Sequence, residues 1–550
     1  MTDTKREIER KYEFPAGGGP SGLRDPSGPS GLSDLPDLSE VDGVSSVSAQ
    51  GVVELDAVYY DTADLRLAAD HLTLRRRTGG DDAGWHLKFP VSTGIRDEIQ
   101  APLADTVPRD LALLLRSRVR NAELIPVVRL RSSRALGHLV DAEGALLAEV
   151  SVDAVRAERL GRAVVATSWT EVEVELADGA DPALLDAVEK RLREAGLRPS
   201  SSASKVGRAL AETSGPVGAG AKKAASARGG SGKRGGSGKS ARGGKHKGAP
   251  EKKAGPATAG DHVLAYLRTQ ADAIIAQDPA VRRDLPDSVH QMRVATRRMR
   301  SAFRTFRKIV DRTVTDPVGE ELKWLAAELG IDRDHEVLNE RLRERFDALP
   351  GTLLLGPVRA RLQTWSVAQR AGSRERTLAV LDSARYLALL ETIEALLADP
   401  PLRPDAGAVP DKAFSKAVLK VYDRLAGRID HALALPPGEE RDLALHSARK
   451  AAKRARYAAE AARPTLGGPA KRFAKRMKAV QNVLGDHQDS VVAREALRAL
   501  AVQAHAAGES AFTWGLLYGQ EEARGDRRER ELPGVWEEAS APRLRAALRG

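Results

Sequence analysis

The sequence predicts a multidomain chain: an N-terminal α+β domain built as a closed antiparallel β-barrel tunnel, and a C-terminal all-α domain of two repeated helical bundles. Three observations predict it. Strand-like segments before residue 213 alternate charged with apolar residues, a stretch without large side chains follows, and helical periodicity with an internal repeat fills the remainder.

The chain has 550 residues, more than one hydrophobic core serves, so separate domains are expected. It contains no cysteine and needs no disulfides. Its start is charged from Lys5 onward, and no apolar run approaches the roughly 18 residues that span a bilayer. These features predict a cytoplasmic protein that does not engage membranes. The formal charge of +11 is unevenly spread: residues 1–213 hold 27 bases and 35 acids, residues 214–260 hold 11 and 1, and residues 261–550 hold 49 and 40.

The first strand is EIERKYEF, residues 7–14. Side chains alternate faces in an extended chain, so Glu7, Glu9 and Lys11 share a face opposite Ile8 and Tyr12. The Gly/Pro-rich stretch after it predicts a flexible insert over 15–50. The later strands repeat the first: Arg75 and Arg77 opposite Leu74, His86 and Lys88 opposite Trp85, Leu87 and Phe89, and Arg129 and Arg131 opposite Val128 and Leu130. Glu149, Ser151 and Asp153 oppose Val150 and Val152, and Glu171, Glu173 and Glu175 oppose Val172, Val174 and Leu176. A barrel with its charged faces turned inward and helices such as 181–196 outside accommodates all of them. An open sheet with one wet face is the alternative. Crowded carboxylates call for hard divalent cations, Mg²⁺ or Mn²⁺, and crowded guanidinium and ammonium groups call for a polyanion such as a phosphate chain.

The segments EIERK, YYDTADLRLAADHLTLRRRTGG, WHLKFP, the Glu-rich strand and SSASKVGRAL, in that order, resemble the CYTH domain, the triphosphate tunnel metalloenzymes, over nearly all of residues 1–213. The resemblance implies metal binding by Glu7, Glu9, Asp153, Glu171 and Glu173, and triphosphate binding by Lys11, Arg75, Arg77, Lys88, Arg131 and Lys205. Glu149, Glu175, Arg129 and His86 fall on the same faces, and His86 is expected to be a lumen-lining or satisfied structural residue rather than a catalyst. The family includes inorganic, thiamine and RNA triphosphatases and a class of adenylate cyclases.

Residues 214–260 read as a basic disordered linker, able to touch nucleic acid only weakly and without selectivity. Beyond it, HQMRVATRRMR from His290 and HSARKAAKRAR from His446 repeat at an offset of 156, and LGIDRD at 329–334 recurs as LGDHQD at 484–489. Repeats of about 261–410 and 411–550 are expected. Each opens a stripe on one helix face, His290, Arg293, Arg297 and Arg300 in the first and His446, Arg449, Lys453 and Arg456 in the second. His335 and His487 lie near the second motif without aligning on each other. This half resembles the CHAD domain, a resemblance that implies binding of long-chain polyphosphate at the two stripes. Solvated helix faces are the alternative. The leading function is metal-dependent hydrolysis of inorganic tripolyphosphate or a related triphosphate, with polyphosphate held by the helical domain. The alternatives are an adenylate cyclase and a non-catalytic polyphosphate-binding scaffold.

Overall fold

The computed structural model describes residues 3–15, 31–161, 165–213, 257–370 and 372–549, and its chain divides into two compact units, Met1–Lys245 and His246–Gly550. The expected linker lies outside the described residues as far as 256.

In the first unit the strands are β1 (Asp3–Glu13), β2 (Ser46–Asp61), β3 (Thr73–Thr78), β4 (Gly84–Ser92), β5 (Ile95–Ala101), β6 (Ile125–Val140), β7 (Leu146–Arg159), β8 (Ala166–Leu176) and the short β9 (Arg198–Pro199). They pair antiparallel in the order β5-β4-β3-β2-β6-β7-β8-β1, and β1 closes the ring on β5 with Lys5 opposite Glu98 and Ile8 opposite Ile95. Eight strands therefore form a closed barrel, and β9 adds to β1 at Tyr12 and Glu13. Gly79, at φ +84°, ends β3 where a Cβ would stand 2.1 Å from the Glu54 carbonyl oxygen, so the β3–β4 turn requires glycine there.

The outer wall is apolar. Helix α1 (Arg66–Ala69) and helix α2 (Arg109–Val119) pack Leu67, Leu111 and Leu115 on Leu74, Trp85, Leu87 and Ile99. Helix α3 (Ala183–Glu194) packs Leu185, Val188 and Leu192 on Tyr12, Val150, Val152, Val172 and Val174. Residues 16–30 of the expected flexible insert lie outside the described residues, but 31–50 depart from that expectation. Two short 3-10 turns, Leu32–Asp34 and Leu38–Glu40, lead Leu38, Val41 and Val44 into the α3 core, and Ser46 already belongs to β2. Single apolar anchors spaced among Asp, Ser and Gly gave no strand or helix periodicity to read.

One end of the barrel is filled from within. Helix α4 (Lys205–Glu212), capped by the Ser204 hydroxyl accepting from Gly207 N–H, presents Val206, Ala209 and Leu210 to Val128, Leu130, Val155, Ala157 and Trp169. These wall residues continue the inward faces of β6, β7 and β8, so the lumen changes from charged to apolar along its length.

The second unit is helical, with helices Ala259–Arg282, Ser288–Thr305, Arg312–Glu328 and Gly330–Asp347 in the first repeat and Pro410–Ala434, Glu439–Ala461 and Arg463–Ala506 in the second, the last kinked at Gly467. The first opens with a capping box between Thr258 and Asp261. Both repeats contribute to each hydrophobic core. One core joins Leu267, Met292 and Leu322 to Phe414, Leu445 and Phe473, and the other joins Leu342 and Phe346 to Leu497 and Trp514. No helix among the described residues is long and apolar enough to cross a membrane.

Candidate functional site: a charged tunnel and a pair of basic helix faces

The inward faces of β1 to β8, other than their plugged ends, enclose a cavity of about 240 Å³. As the alternation of the first strand predicts, Glu7, Glu9 and Lys11 all line it, joined by Lys5. Arg75 and Arg77 from β3, Lys88 from β4 and Lys205 from α4 also reach it.

One cluster of acids gathers on the β7–β8 side. Asp153, Glu171 and Glu173 are buried, with donor oxygens within 4.8 Å of one another. The Lys205 Nζ stands between them, 3.1 Å from Asp153, 2.7 Å from Glu171 and 2.5 Å from Glu173. Lys11 pairs with Glu173 and lies 3.3 Å from Glu9, which brings β1 to the same cluster. Burial would raise the Glu173 carboxyl, but Lys11, Lys205 and Arg134 outweigh it and hold the group well below the usual range. Burial would likewise lower Lys205, and the three carboxylates raise it instead. Glu7 differs: burial pushes it up to about 7 although the Lys88 ammonium is 2.6 Å away.

This donor set fits a hard divalent cation. The oxygens are all carboxylate, they converge, and Glu171 Oε1 accepts no hydrogen bond and faces the Lys205 ammonium at 2.7 Å. The opposite wall is basic. Burial, with Arg75 and Arg134 nearby, pushes Arg77 down to about 9, a repulsion that a bound polyanion would relieve. Asp82 partly answers it by pairing with Arg77.

Two expectations about β6 need correction. Arg131 stands on the outer wall, half exposed, 3.7 Å from Asp56 and 3.4 Å from Glu158, and Arg129 also pairs with Asp56 outside. The residue that reaches the lumen from this strand is Arg134, which donates to both oxygens of Asp153 and to Glu173 at 2.8 Å each. The assumption that apolar residues face outward fails where Val128 and Leu130 meet the plug, and this reverses the assignment of the whole strand.

The sequence reading also passed over β5. Arg96, Glu98 and Gln100 alternate inward, and Glu98 lies 3.7 Å from both Arg75 and Lys88. Their spacing in IRDEIQ was the available signal. His86 is a satisfied structural residue: one ring nitrogen is 2.8 Å from Glu98 and the other 2.9 Å from the Asp82 carbonyl, and burial lowers it to about 4. Glu175 pairs with Lys5 at 2.7 Å, and Glu149 lines the same mouth.

In the helical unit the first stripe lies on helix Ser288–Thr305 and the second on Glu439–Ala461. They converge. Burial first, then Arg449 and Arg297, push Lys453 down to about 7, so an arginine of the first repeat acts on the lysine of the second. Arg300 is likewise lowered by burial and by Arg304 and Arg297. Arg456 lies over Tyr457, 3.7 Å from Glu460, which also pairs with Arg298 of the first repeat at 3.1 Å.

Two stripe residues are structural in geometry. Arg293 is buried, donates to the Gly330 carbonyl at 3.0 Å and pairs with Asp334 at 3.2 Å. Arg449 repeats this with Asp489 at 3.4 Å, beside Gly485. The two repeated motifs therefore touch within each repeat, and a Cβ on Gly330 would lie 2.8 Å from Arg293.

His290 and His446 are both half-buried, and burial lowers His446. His487 sits 3.1 Å from Glu529 and 3.3 Å from Asp442, but Arg441 and Arg494 already balance those carboxylates. His335 is not part of that group.

A family model of the CYTH domain matches residues 33–210, and one of the CHAD domain matches residues 265–498. CYTH domains form a catalytic, metal-dependent family, the triphosphate tunnel metalloenzymes, and the two families together suggest triphosphate and polyphosphate as ligands. Uncharacterised proteins of two Mycobacterium tuberculosis strains are 36% identical over 521 residues, covering 90% of this chain and 91% of their own. Among solved structures, PptA from Streptomyces chartreusis is 21% identical, covers 51% of this chain and 99% of its own, and has a TM-score of 0.45. The CHAD domain from the plant Ricinus communis is 26% identical, covers 54% of this chain and 92% of its own, and has a TM-score of 0.40. The chain belongs to the family of these mycobacterial proteins, with a CYTH domain followed by a CHAD domain.

Proposed function

We propose that the barrel hydrolyses inorganic tripolyphosphate or a related triphosphate with Mg²⁺ or Mn²⁺, and that the helical domain binds long-chain polyphosphate. The observation that carries the first part is the 240 Å³ cavity lined by Arg75, Arg77 and Lys88 on one side and by Glu173 on another, with Asp153 and Glu171 clustered on Glu173. Binding a phosphate chain requires only the bases; the convergent carboxylates add a cation site beside it.

Asp153, Glu171 and Glu173, with Glu9 across Lys11 and Glu7 beside Lys88, would hold the cation. When bound, it supplies Lewis-acid neutralisation of phosphoryl oxygens. The other steps belong to the chain. Arg75, Arg77, Lys88 and Arg134 neutralise and align the phosphates, which is most of what phosphoryl transfer asks of a protein. Lys205 and Lys11 line the same cavity and would be free to turn from the carboxylates toward the phosphate once a cation balanced that charge. Glu7, titrating near 7, can hold or release a proton beside Lys88 at neutral pH.

For the helical domain, support comes from Arg297, Lys453 and Arg456 drawn together from both repeats, whose mutual repulsion a polyanion reverses. The test is incubation of the purified protein with Mg²⁺ and, separately, tripolyphosphate, ATP and thiamine triphosphate, followed by identification of products. Orthophosphate and pyrophosphate from tripolyphosphate are expected. Absence of phosphate release from all three overturns the reading.

A further inference from the structure

We propose that Trp169 is a positioning residue that fixes Glu171 as a one-oxygen ligand for a divalent cation and ties that carboxylate to the seating of helix α4. This rests on reading Glu171 as a cation ligand.

Trp169 and Glu171 are two residues apart on β8, so both face inward. The indole Nε1–H donates to Glu171 Oε2 at 2.7 Å, with both residues buried. An indole N–H is a donor only and cannot reverse its role. Oε2 is therefore committed to the wall, and Oε1, which accepts no hydrogen bond, is aimed at Lys205 and the cluster. Chelation through both oxygens would have to share Oε2 between the indole N–H and the cation, whereas Oε1 is open to the cluster.

The same ring reads the plug. Trp169 packs with Val206, Ala209 and Leu210 of α4. The Arg208 guanidinium lies 4.9 Å over its ring, held from behind by Glu212 at 2.7 Å and near Glu13 at 3.5 Å. Helix α4 also delivers Lys205 to the carboxylates. One side chain thus contacts both the ligand and the element that carries the cation's competitor, so a change in plug seating reaches Glu171 through the tryptophan.

Groups that orient a ligating side chain govern metal affinity by about 10–100-fold. Trp169→Phe keeps a ring for α4 and Arg208 and removes only the N–H. The experiment is Mn²⁺ binding to the full-length protein, without substrate, by electron paramagnetic resonance, with the barrel site identified by its loss in Glu171→Gln. Trp169→Phe is expected to weaken that site about 10–100-fold, with a melting temperature in EDTA only modestly lowered, as the loss of one hydrogen bond to a buried carboxylate implies. Arg208→Met, which leaves the indole bond in place, is expected to weaken it by less in the same direction. Unchanged Mn²⁺ affinity in Trp169→Phe overturns the proposal, and if that variant does not fold, unchanged affinity in Arg208→Met does so. Unaltered protein that binds no Mn²⁺ in the barrel overturns the ligand reading of Glu171 beneath it.

Discussion

Lys205→Met removes the ammonium that stands 2.5–3.1 Å from three buried carboxylates. Taking one partner from a buried ion pair costs about 3–5 kcal/mol, because the opposite charge is left uncompensated. Glu173 retains Lys11 and Arg134, and Asp153 retains Arg134, so the deficit falls mainly on Glu171. The low end, about 3 kcal/mol, is therefore expected. In a domain of this size that corresponds to a fall in melting temperature of roughly 6–12 °C. The fall should appear in EDTA and shrink with Mg²⁺, since a cation takes the place the ammonium vacates. Differential scanning calorimetry of the full-length protein, with and without Mg²⁺, measures both. If no transition moves in EDTA, or if Mg²⁺ raises the variant and the unaltered protein equally, the ammonium and the cation do not share one site and the reasoning fails.

Arg134→Gln should lower kcat/KM for tripolyphosphate by about 100-fold or more, as loss of a preorganised charged donor does, whereas Arg131→Gln should leave it essentially unchanged; steady-state kinetics of the two decide which arginine serves the lumen. Because burial raises Glu7 to about 7, the folded protein binds more protons than the unfolded chain between the ordinary carboxylate range and 7. Stability of the metal-free protein should fall as pH rises through that window, while Mn²⁺ affinity rises with it and levels off above 7. Glu7→Gln should flatten both profiles in denaturation and binding titrations. Lys453, lowered to about 7, should regain its proton as pH drops from 8 to 6 and strengthen polyphosphate binding, and Lys453→Met should remove that part of the pH dependence in a binding assay. The lowered His446 should add nothing at neutrality.

Strand faces were legible wherever the charged stretch of a strand set acids or bases opposite apolar residues that pack on the outer wall. β1, β3, β7 and β8 keep acids or bases on alternate positions, and alternation alone placed Glu7, Glu9, Arg75, Arg77, Asp153, Glu171 and Glu173. It failed on β6 because a strand inside a plugged barrel has apolar residues on its inward face at one end and charges at the other. Leu130 and Arg134 share a face, and no local pattern reports that α4 will lie against the first. Glu98 was overlooked because IRDEIQ carries charge on both faces, Arg6 pairing with Asp97 outside. In the helical half, the repeat was visible at once, but a stripe on a helical wheel cannot separate Arg293, which supports Gly330, from Lys453, which meets the other repeat.

The plug formed by α4 also bears on which bonds in a polymer can be cut. Lys205 and the apolar layer behind it close the α4 end of the barrel, so a phosphate chain that enters past Lys5, Glu149 and Glu175 cannot be threaded out through that end. A site of this shape attacks from chain termini. Under the proposed function the enzyme is exo-acting and non-processive on linear chains, internal anhydrides of a long polymer stay beyond its reach, and product must leave before the next terminus can enter.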